Sequence, residues 1–418
     1  MTRSTARSAA LAVALLLAVL AGCSAAGPAR PTAPAPAAAP RLPGPLHTDG
    51  RYVVDAAGHR VKLVGVNWSG AETPSAVVGG LDLRPLDELA GRIAAAGFDV
   101  VRLPVSNELV ETDPVVGDAA LAANPDLRGR HALEVLDAVV AALGRHGVMV
   151  VLDDHRSRAD WCCDTDHGDG LWYTPQYPES AWLADWRTLA RRYRDQPAVV
   201  GADLRNEIRP EPQLAPGPTR ATWGDGDPRT DWAAAAQRGG DAVLAEAPGW
   251  LVVVEGLDYA ANLTPAYTSP VRLSVPGRLV WAAHDYRWMH TAGELSAYPL
   301  FGTVLGVRFG GLTVEGRPST APVWLDETGT CTQPAPGSPC SPDDPAYLRS
   351  LTRYLTASDL DVAFWQLDGT QGTGYSRTPG AVETYGLLRP DWATWADPAL
   401  MTTVRALTRP TRGPGTGG

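Results

Sequence analysis

Positive charge is in short supply in this sequence. Across 418 residues, 36 lysines and arginines face 46 acids, a formal net charge of -10. A deficit of that sign disfavours nucleic acid or an anionic membrane surface as the main partner and leaves a neutral or cationic substrate open. No C-x-x-C pair or paired-histidine spacing accompanies the cysteines, so zinc is not expected, and neither is any other metal or cofactor. No G-x-G-x-x-G follows the first strand candidate, which removes the usual sign of a dinucleotide site. An internal repeat of about 20 to 50 residues is also missing, which sets solenoids and propellers aside.

The apolar run near the start, "AALAVALLLAVLAG", is short for a spanning helix. Preceded by Arg3 and Arg7, it has the layout of a secretory signal. The junction "LAGC" resembles a bacterial lipobox, so residues 1–23 read as a signal with Cys23 as the lipidated residue. That lipid would be the chain's one link to a membrane. Residues 24–45 are rich in proline and alanine and read as an extended spacer. Residues 46–408 carry the one folded domain, and 409–418 read as a frayed tail. Cys331 and Cys340 flank a turn-rich loop that a disulfide would staple, and export permits that bond. Cys162 and Cys163 are adjacent; a vicinal disulfide and two free thiols are both open.

Short, nearly continuous apolar runs recur through the domain: "VKLVGVN", "FDVVRLP", "GVMVVLD", "AVVGADL", "WLVVVEG", "LVWAAHD", "APVWLDE" and "DVAFWQL". Amphipathic stretches such as "PLDELAGRIAAAG" and "HALEVLDAVVAALGRHG" separate them, several closed by glycine. Strands of that kind alternating with helices imply a parallel sheet covered by helices, and eight of them imply an α/β fold, the (β/α)8 TIM barrel. Chemistry in such a barrel sits where the strands end. Asn67 and Trp68 follow the first run, Arg102 lies in the second, and Asp153, Asp154 and His155 end the third. Asn206 and Glu207 follow the fourth, Glu255 ends the fifth, and His284, Asp285 and Tyr286 end the sixth. Asp326 and Glu327 end the seventh, and Trp365 and Gln366 the eighth. Two facing carboxylates with histidine, tyrosine, arginine and asparagine around them suit glycoside hydrolysis, one acting as acid/base and one as nucleophile or base. Because side chains alternate along a strand, Asp326 is expected to point aside where Glu327 points into the mouth.

The pieces "GVNWSG", "VRLP", "VVLDDH", "NE" (206–207), "HDY" (284–286), "VWLDETGT" and "FW" occur in one order. In that order the sequence resembles glycoside hydrolase family 5, the cellulase-type retaining glycosidases, over nearly the whole domain. The segment from "LWYTPQYPES" through "ADLRNE" resembles its actinobacterial endo-β-1,4-glucanase branch. The resemblance implies Glu207 as acid/base and Glu327 as nucleophile, with Arg102 and Tyr286 orienting Glu327. Asn206 would hold the sugar 2-hydroxyl, and His155 and His284 would line the neighbouring subsite or tune the acid. Trp365 and Trp68 are the candidate sugar platforms. The expected partner is a β-linked poly- or oligosaccharide, met by an exported monomer at the cell surface or beyond it.

The chain departs from the family pattern at several places. The family usually has Gly-Glu-Phe-Gly around the nucleophile, where this chain has Asp326-Glu327-Thr328-Gly329; Ile208 replaces proline, Arg205 stands where the branch often has histidine, and Leu367 replaces a second tryptophan. Another β-glycan or β-glucoside, such as mannan or a glycolipid, therefore stays open as substrate. So does a lipid-anchored carbohydrate-binding protein with faded catalysis, and endo versus exo action is undecided.

Overall fold

A computed structural model describes residues 42–163, 168–211 and 220–414. The leader with Cys23 and the spacer up to residue 41 lie outside the described residues. A short antiparallel hairpin, β1 (His47–Asp49) and β2 (Tyr52–Val54), comes first. Eight parallel strands follow: β3 (Val64–Asn67), β4 (Val100–Ser106), β5 (Met149–Arg156), β6 (Val199–Asp203), β7 (Leu251–Glu255), β8 (Leu279–Tyr286), β9 (Val323–Gly329) and β10 (Asp361–Phe364). They hydrogen-bond in chain order, and β10 returns to β3 to close a barrel. The eight apolar runs of the sequence become these eight strands.

Nine described helices accompany them: α1 (Leu86–Ala96), α2 (Asn107–Thr112), α3 (Ala132–Arg145), α4 (Glu179–Tyr193), α5 (Trp232–Glu246), α6 (Ala292–Ser296), α7 (Tyr298–Arg308), α8 (Asp344–Ser358) and α9 (Pro398–Leu407). Their ends follow local chemistry. Gly97 closes α1 at φ 98°, a left-handed conformation that favours glycine, and its N–H donates to the Ala94 carbonyl. Asp231 opens α5 by accepting a hydrogen bond from the Ala234 N–H at 3.1 Å.

Each barrel strand sends alternate residues to two different places. Outward residues such as Val101, Leu103, Val323 and Leu325 pack in the large core shared with the helices. Inward residues such as Val100, Met149, Val151, Val253, Val280 and Trp324 form a separate core with Val53 of the hairpin and Leu46 just before it, which plug the end where the strands begin. One period of two further along, the interior turns from apolar to charged. Val100 is succeeded by Arg102, Val151 by Asp153, Val253 by Glu255, Ala282 by His284 and Trp324 by Asp326, all buried.

Strand β9 breaks the alternation. Ala283 pairs with Leu325 but His284 pairs with Glu327, and on the other side Val362 pairs with Leu325 but Phe364 with Thr328. The strand thus holds one more residue than either neighbour, a β-bulge at Asp326 and Glu327. This corrects the expectation that Asp326 points aside. Asp326 takes the inward place that follows from Trp324, and the bulge turns Glu327 inward as well. A second correction concerns the tail. Within 409–414, the N–H groups of Thr411 and Arg412 donate to Asp359 at 3.2 and 3.1 Å, and the Pro414 carbonyl accepts from the Arg60 N–H at 2.9 Å.

The inner apolar layer supports the charged one, so emptying it is expected to be costly. Trp324→Ala should lower stability by about 3–5 kcal/mol, whereas Val307→Ala on an exposed face should stay within about 0.5 kcal/mol. Denaturant titration of both variants checks this.

Candidate active site

Arg102 reaches the barrel axis from β4 and is fully buried. Its Nε donates to Asp203 at 2.7 Å; Nη1 donates to Glu327 at 2.7 Å and Asn67 at 3.1 Å; Nη2 donates to Glu255 at 2.9 Å and Asn206 at 3.0 Å. Asp153 lies 3.1 Å from the same Nη2. One guanidinium therefore joins side chains from β3, β5, β6, β7 and β9. Burial alone would weaken its charge, but the carboxylates of Asp153, Asp203 and Glu327 more than reverse that and push its pKa far up.

Above this layer stand Glu207 and Glu327. Glu207 follows β6 in a left-handed backbone conformation, φ 47°, uncommon for a residue with a side chain and often found at functional positions. Its N–H donates to Glu255 Oε2 at 2.6 Å, which holds that turn. Glu327 accepts from Arg102 on one oxygen and from the Tyr286 hydroxyl, at 3.0 Å, on the other. His284 lies between the two glutamates: Nδ1 is 3.0 Å from Glu207 Oε1 and 3.5 Å from Glu327 Oε2, and Nε2 is 3.3 Å from Glu255. One carboxylate oxygen of each glutamate and a nitrogen of His284 lie within 4.8 Å of one another. With a hydrogen bond to Glu207 from Nδ1 and the Glu255 carboxylate near Nε2, His284 favours the imidazolium. Burial opposes that charge, but Glu327 and Glu255 outweigh it and raise the pKa well above the usual histidine value. Glu207 responds in the opposite sense. Burial pushes it up, yet the hydrogen bond and charge of His284 hold it below the ordinary glutamate range. The Glu207–His284 pair thus behaves as one acid carrying a single proton.

These groups form the floor of a cleft of about 730 Å³, a volume typical of ligand sites. Of the residues singled out from sequence, His155, Asn206, Glu207, Tyr286, Glu327 and Trp365 line it, while Arg102 and His284 lie beneath. His155 stacks on Trp365 with ring centres 5.3 Å apart, and its Nδ1 is 2.7 Å from Asp153. Burial takes its pKa down to about 3, so the ring is neutral at physiological pH. Trp68 is corrected: it is fully buried, donates from its indole nitrogen to the Gly79 carbonyl at 3.0 Å, and does not line the cleft. The structure pairs Cys331 with Cys340 and Cys162 with Cys163. The second pair lines the cleft beside Asn206, whose amide nitrogen is 3.5 and 3.6 Å from the two sulfurs.

Sequence reasoning did not single out several walls of the cleft: Trp161, Trp288 and Tyr385, with Arg377 against the Trp161 ring at 3.7 Å. Trp288 is 54% exposed and stacked on Tyr286 with ring centres 4.4 Å apart. Trp161 and Trp288 follow the ends of β5 and β8 by a few residues, a placement that could have marked them. Glu255, which the sequence marked only as the end of the fifth run and gave no role, is buried at the centre. The departures from the family pattern also have partners: Arg205 is buried against Asp154, Asp169 and Ser157, and the Thr328 hydroxyl meets that of Tyr347 at 2.9 Å.

Because Arg102 is the shared counter-charge, Arg102→Met should destabilise the fold by about 3–5 kcal/mol, the usual cost of leaving buried acids without their cation. Arg145→Met, at an exposed pair with Asp87, should change stability by about 0–1 kcal/mol. Chemical denaturation of the two variants side by side is the check.

Comparison with known proteins agrees with the barrel fold. The model of the family Cellulase (glycosyl hydrolase family 5) matches residues 54–371. An endoglucanase of Paenibacillus polymyxa is 33% identical over 383 residues, covering 87% of each protein. Among solved structures, the catalytic domain of the major endoglucanase of Xanthomonas campestris is 30% identical with a TM-score of 0.72, over 87% of this chain and 99% of that one. A cellotetraose complex of an endocellulase from the archaeon Pyrococcus horikoshii is 27% identical with a TM-score of 0.72, over 88% of this chain and 100% of that one. The family match spans the barrel: the chain belongs to glycosyl hydrolase family 5.

Proposed function

We propose that this protein hydrolyses β-linked glucans with retention of configuration, using Glu327 as nucleophile and Glu207 as acid/base. The observation that supports it most is the pair of glutamates bridged by one imidazole at the floor of an aromatic-lined cleft. Retaining glycosidases place their two carboxyl groups about 5–5.5 Å apart, and the close approach of Glu207 and Glu327 suits that spacing. In the first step a Glu327 oxygen bonds to the anomeric carbon. The bond from that carbon to the leaving sugar oxygen breaks, and that oxygen takes the proton shared by Glu207 and His284. In the second, Glu207 as carboxylate takes a proton from water, whose oxygen displaces Glu327 from the sugar. Arg102 and Tyr286 donate to Glu327 and fix its position for attack. Asn206 is placed to hold the 2-hydroxyl of the sugar being cleaved, and Trp365, backed by His155, offers it a flat apolar face.

The cleft's volume and its aromatic rings at several walls favour binding an oligosaccharide over a single sugar, hence endo cutting. The relatives include a protein named as an extracellular endoglucanase. Together with the leader, the lipobox at Cys23 and two disulfides, that supports export, with the enzyme tethered by lipid at Cys23 and carried on the proline-rich spacer.

Two variants test the roles separately. Glu327→Gln should abolish hydrolysis of β-glucans, oligosaccharides and aryl β-glycosides alike. Glu207→Ala should lose roughly 10²–10⁴-fold on substrates with poor leaving groups, as expected when proton donation is removed. An activated aryl glycoside should still show a burst of phenol release, because its leaving group needs no proton and only the second step is slowed. Loss of the Glu207–His284 proton should also end activity on the alkaline side of the pH profile. A panel of β-glycans under stopped-flow and steady-state assay reads all of these outcomes. No turnover of any member by the wild type, with sugar binding intact, would replace this assignment with a carbohydrate-binding function.

A further inference from the structure

Beyond β5 the cleft wall contains two adjacent cysteines, and the two-step hydrolysis gives them no part. Cys162 and Cys163 are joined by a disulfide, are half-buried, and line the cleft together with Trp161 and Glu207. Two buried arginines set their place. Arg156, the last residue of β5, donates to the Trp161 carbonyl and lies 3.2 Å from Asp169. Arg205, next to Asn206 in the chain, donates to the Ser157 hydroxyl at 3.1 Å and to the Asp169 carbonyl at 3.3 Å. The chain on both sides of the disulfide is thus tied to the ends of β5 and β6.

The neighbour that the sulfurs reach is Asn206. Its backbone N–H donates to the Asp154 carbonyl at 3.0 Å, and its Oδ1 accepts from Arg102 Nη2 at 3.0 Å. Its Nδ2 donates to the sulfurs of Cys162 and Cys163 at 3.5 and 3.6 Å. Arg102 can only donate, and a disulfide, having no S–H, can only accept. The amide is therefore fixed in one sense, oxygen toward the guanidinium and nitrogen toward the sulfurs. Because the sulfurs are bonded to each other, one N–H directed between them serves both, and the second is left for the cleft. Two free thiols would turn about their own bonds and carry their own hydrogens, and would not hold the amide in that way.

We propose that the Cys162–Cys163 disulfide is a positioning element for Asn206, holding its side-chain amide so that the remaining N–H meets the 2-hydroxyl of the sugar being cleaved. This rests on the role proposed above for Asn206. The disulfide acts through that amide, and its loss costs the transition state the 2-hydroxyl contact, which is strongest there. One oxygen of Glu207 also lies within 4.8 Å of both sulfurs. An effect on the acid/base is therefore the alternative, and it would weigh equally on substrates with and without the 2-hydroxyl.

The probes are an aryl β-cellobioside and the same compound lacking the 2-hydroxyl of the ring being cleaved. Cys331→Ala with Cys340→Ala leaves Cys162–Cys163 as the one disulfide among the described residues for a phosphine to reduce. On reduction, kcat/KM for the parent compound should fall about tenfold or more while the 2-deoxy compound loses little, and reoxidation should restore the ratio. Cys162→Ala with Cys163→Ala, in the otherwise native chain, should show the same fall without reductant. In Asn206→Ala the ratio should already be low, and reduction should lower it no further. An equal loss on both compounds would assign the disulfide to Glu207 or to general stability, and an unmoved ratio would give it no part in holding Asn206. Either result overturns the inference and leaves the hydrolysis standing, whereas no turnover by the oxidised wild type would overturn both. Alkylation of the unreduced, denatured protein followed by mass spectrometry reads the bond without turnover. Cys162 and Cys163 should be found joined and unalkylated, and two alkylated thiols there overturn the inference whatever the kinetics.

Discussion

The buried guanidinium of Arg102 is the constraint on which the rest of the site depends. It is held among carboxyl groups from β5, β6, β7 and β9, where a bare cation would be far too costly. The acids in turn are tolerable inside the barrel because Arg102 and His284 are there. This mutual dependence fixes the positions of five strand ends relative to one another. Glu327 is oriented directly by Arg102, and Glu207 is held through Glu255, which accepts from both Arg102 and the Glu207 N–H. The barrel's interior is thus layered, with an apolar plug at the hairpin end, a charged lattice above it, and the reacting pair at the mouth.

That layering explains how two glutamates of the same chemistry can serve different roles. Glu327 faces donors that stay charged or hydroxylic throughout, Arg102 and Tyr286. Glu207 faces a histidine that can give its proton back. The difference lies in what stands opposite each carboxyl group, and the one imidazole that touches both links their states. When Glu327 becomes an ester with the sugar, His284 loses a negative neighbour and is a weaker base. The proton already given to the leaving sugar is then less readily regained from solvent, and Glu207 stays a carboxylate at the stage where it has to act as base.

Much of this was legible in the sequence, because a barrel interior obeys a simple period. The eight apolar runs became β3 to β10, and the acids and histidines at their ends meet around the axis. The hairpin, α2, α6, α7 and α9 were not read. The hairpin strands are three residues each, and α2 depends on a Ser106 cap directly at a strand end. Helix α7 carries apolar residues on its exposed face as well as its buried one, so it has little amphipathic signal. Trp68 was misread because strand position alone does not tell whether a ring after a strand folds over the mouth or back into the core. Asp326 was misread because alternation was counted through a bulge that only pairing with β8 and β10 reveals.

The central claim is that Glu327 forms a covalent bond to the sugar, and trapping that bond tests it most directly. A cellobioside carrying fluorine at C2 and an activated leaving group should esterify the enzyme and then turn over slowly. Mass spectrometry of the digested protein should place one sugar adduct on the peptide containing Glu327. The account is contradicted if the adduct sits on another residue, or if the enzyme cleaves β-glucan with inversion of configuration and never carries an adduct.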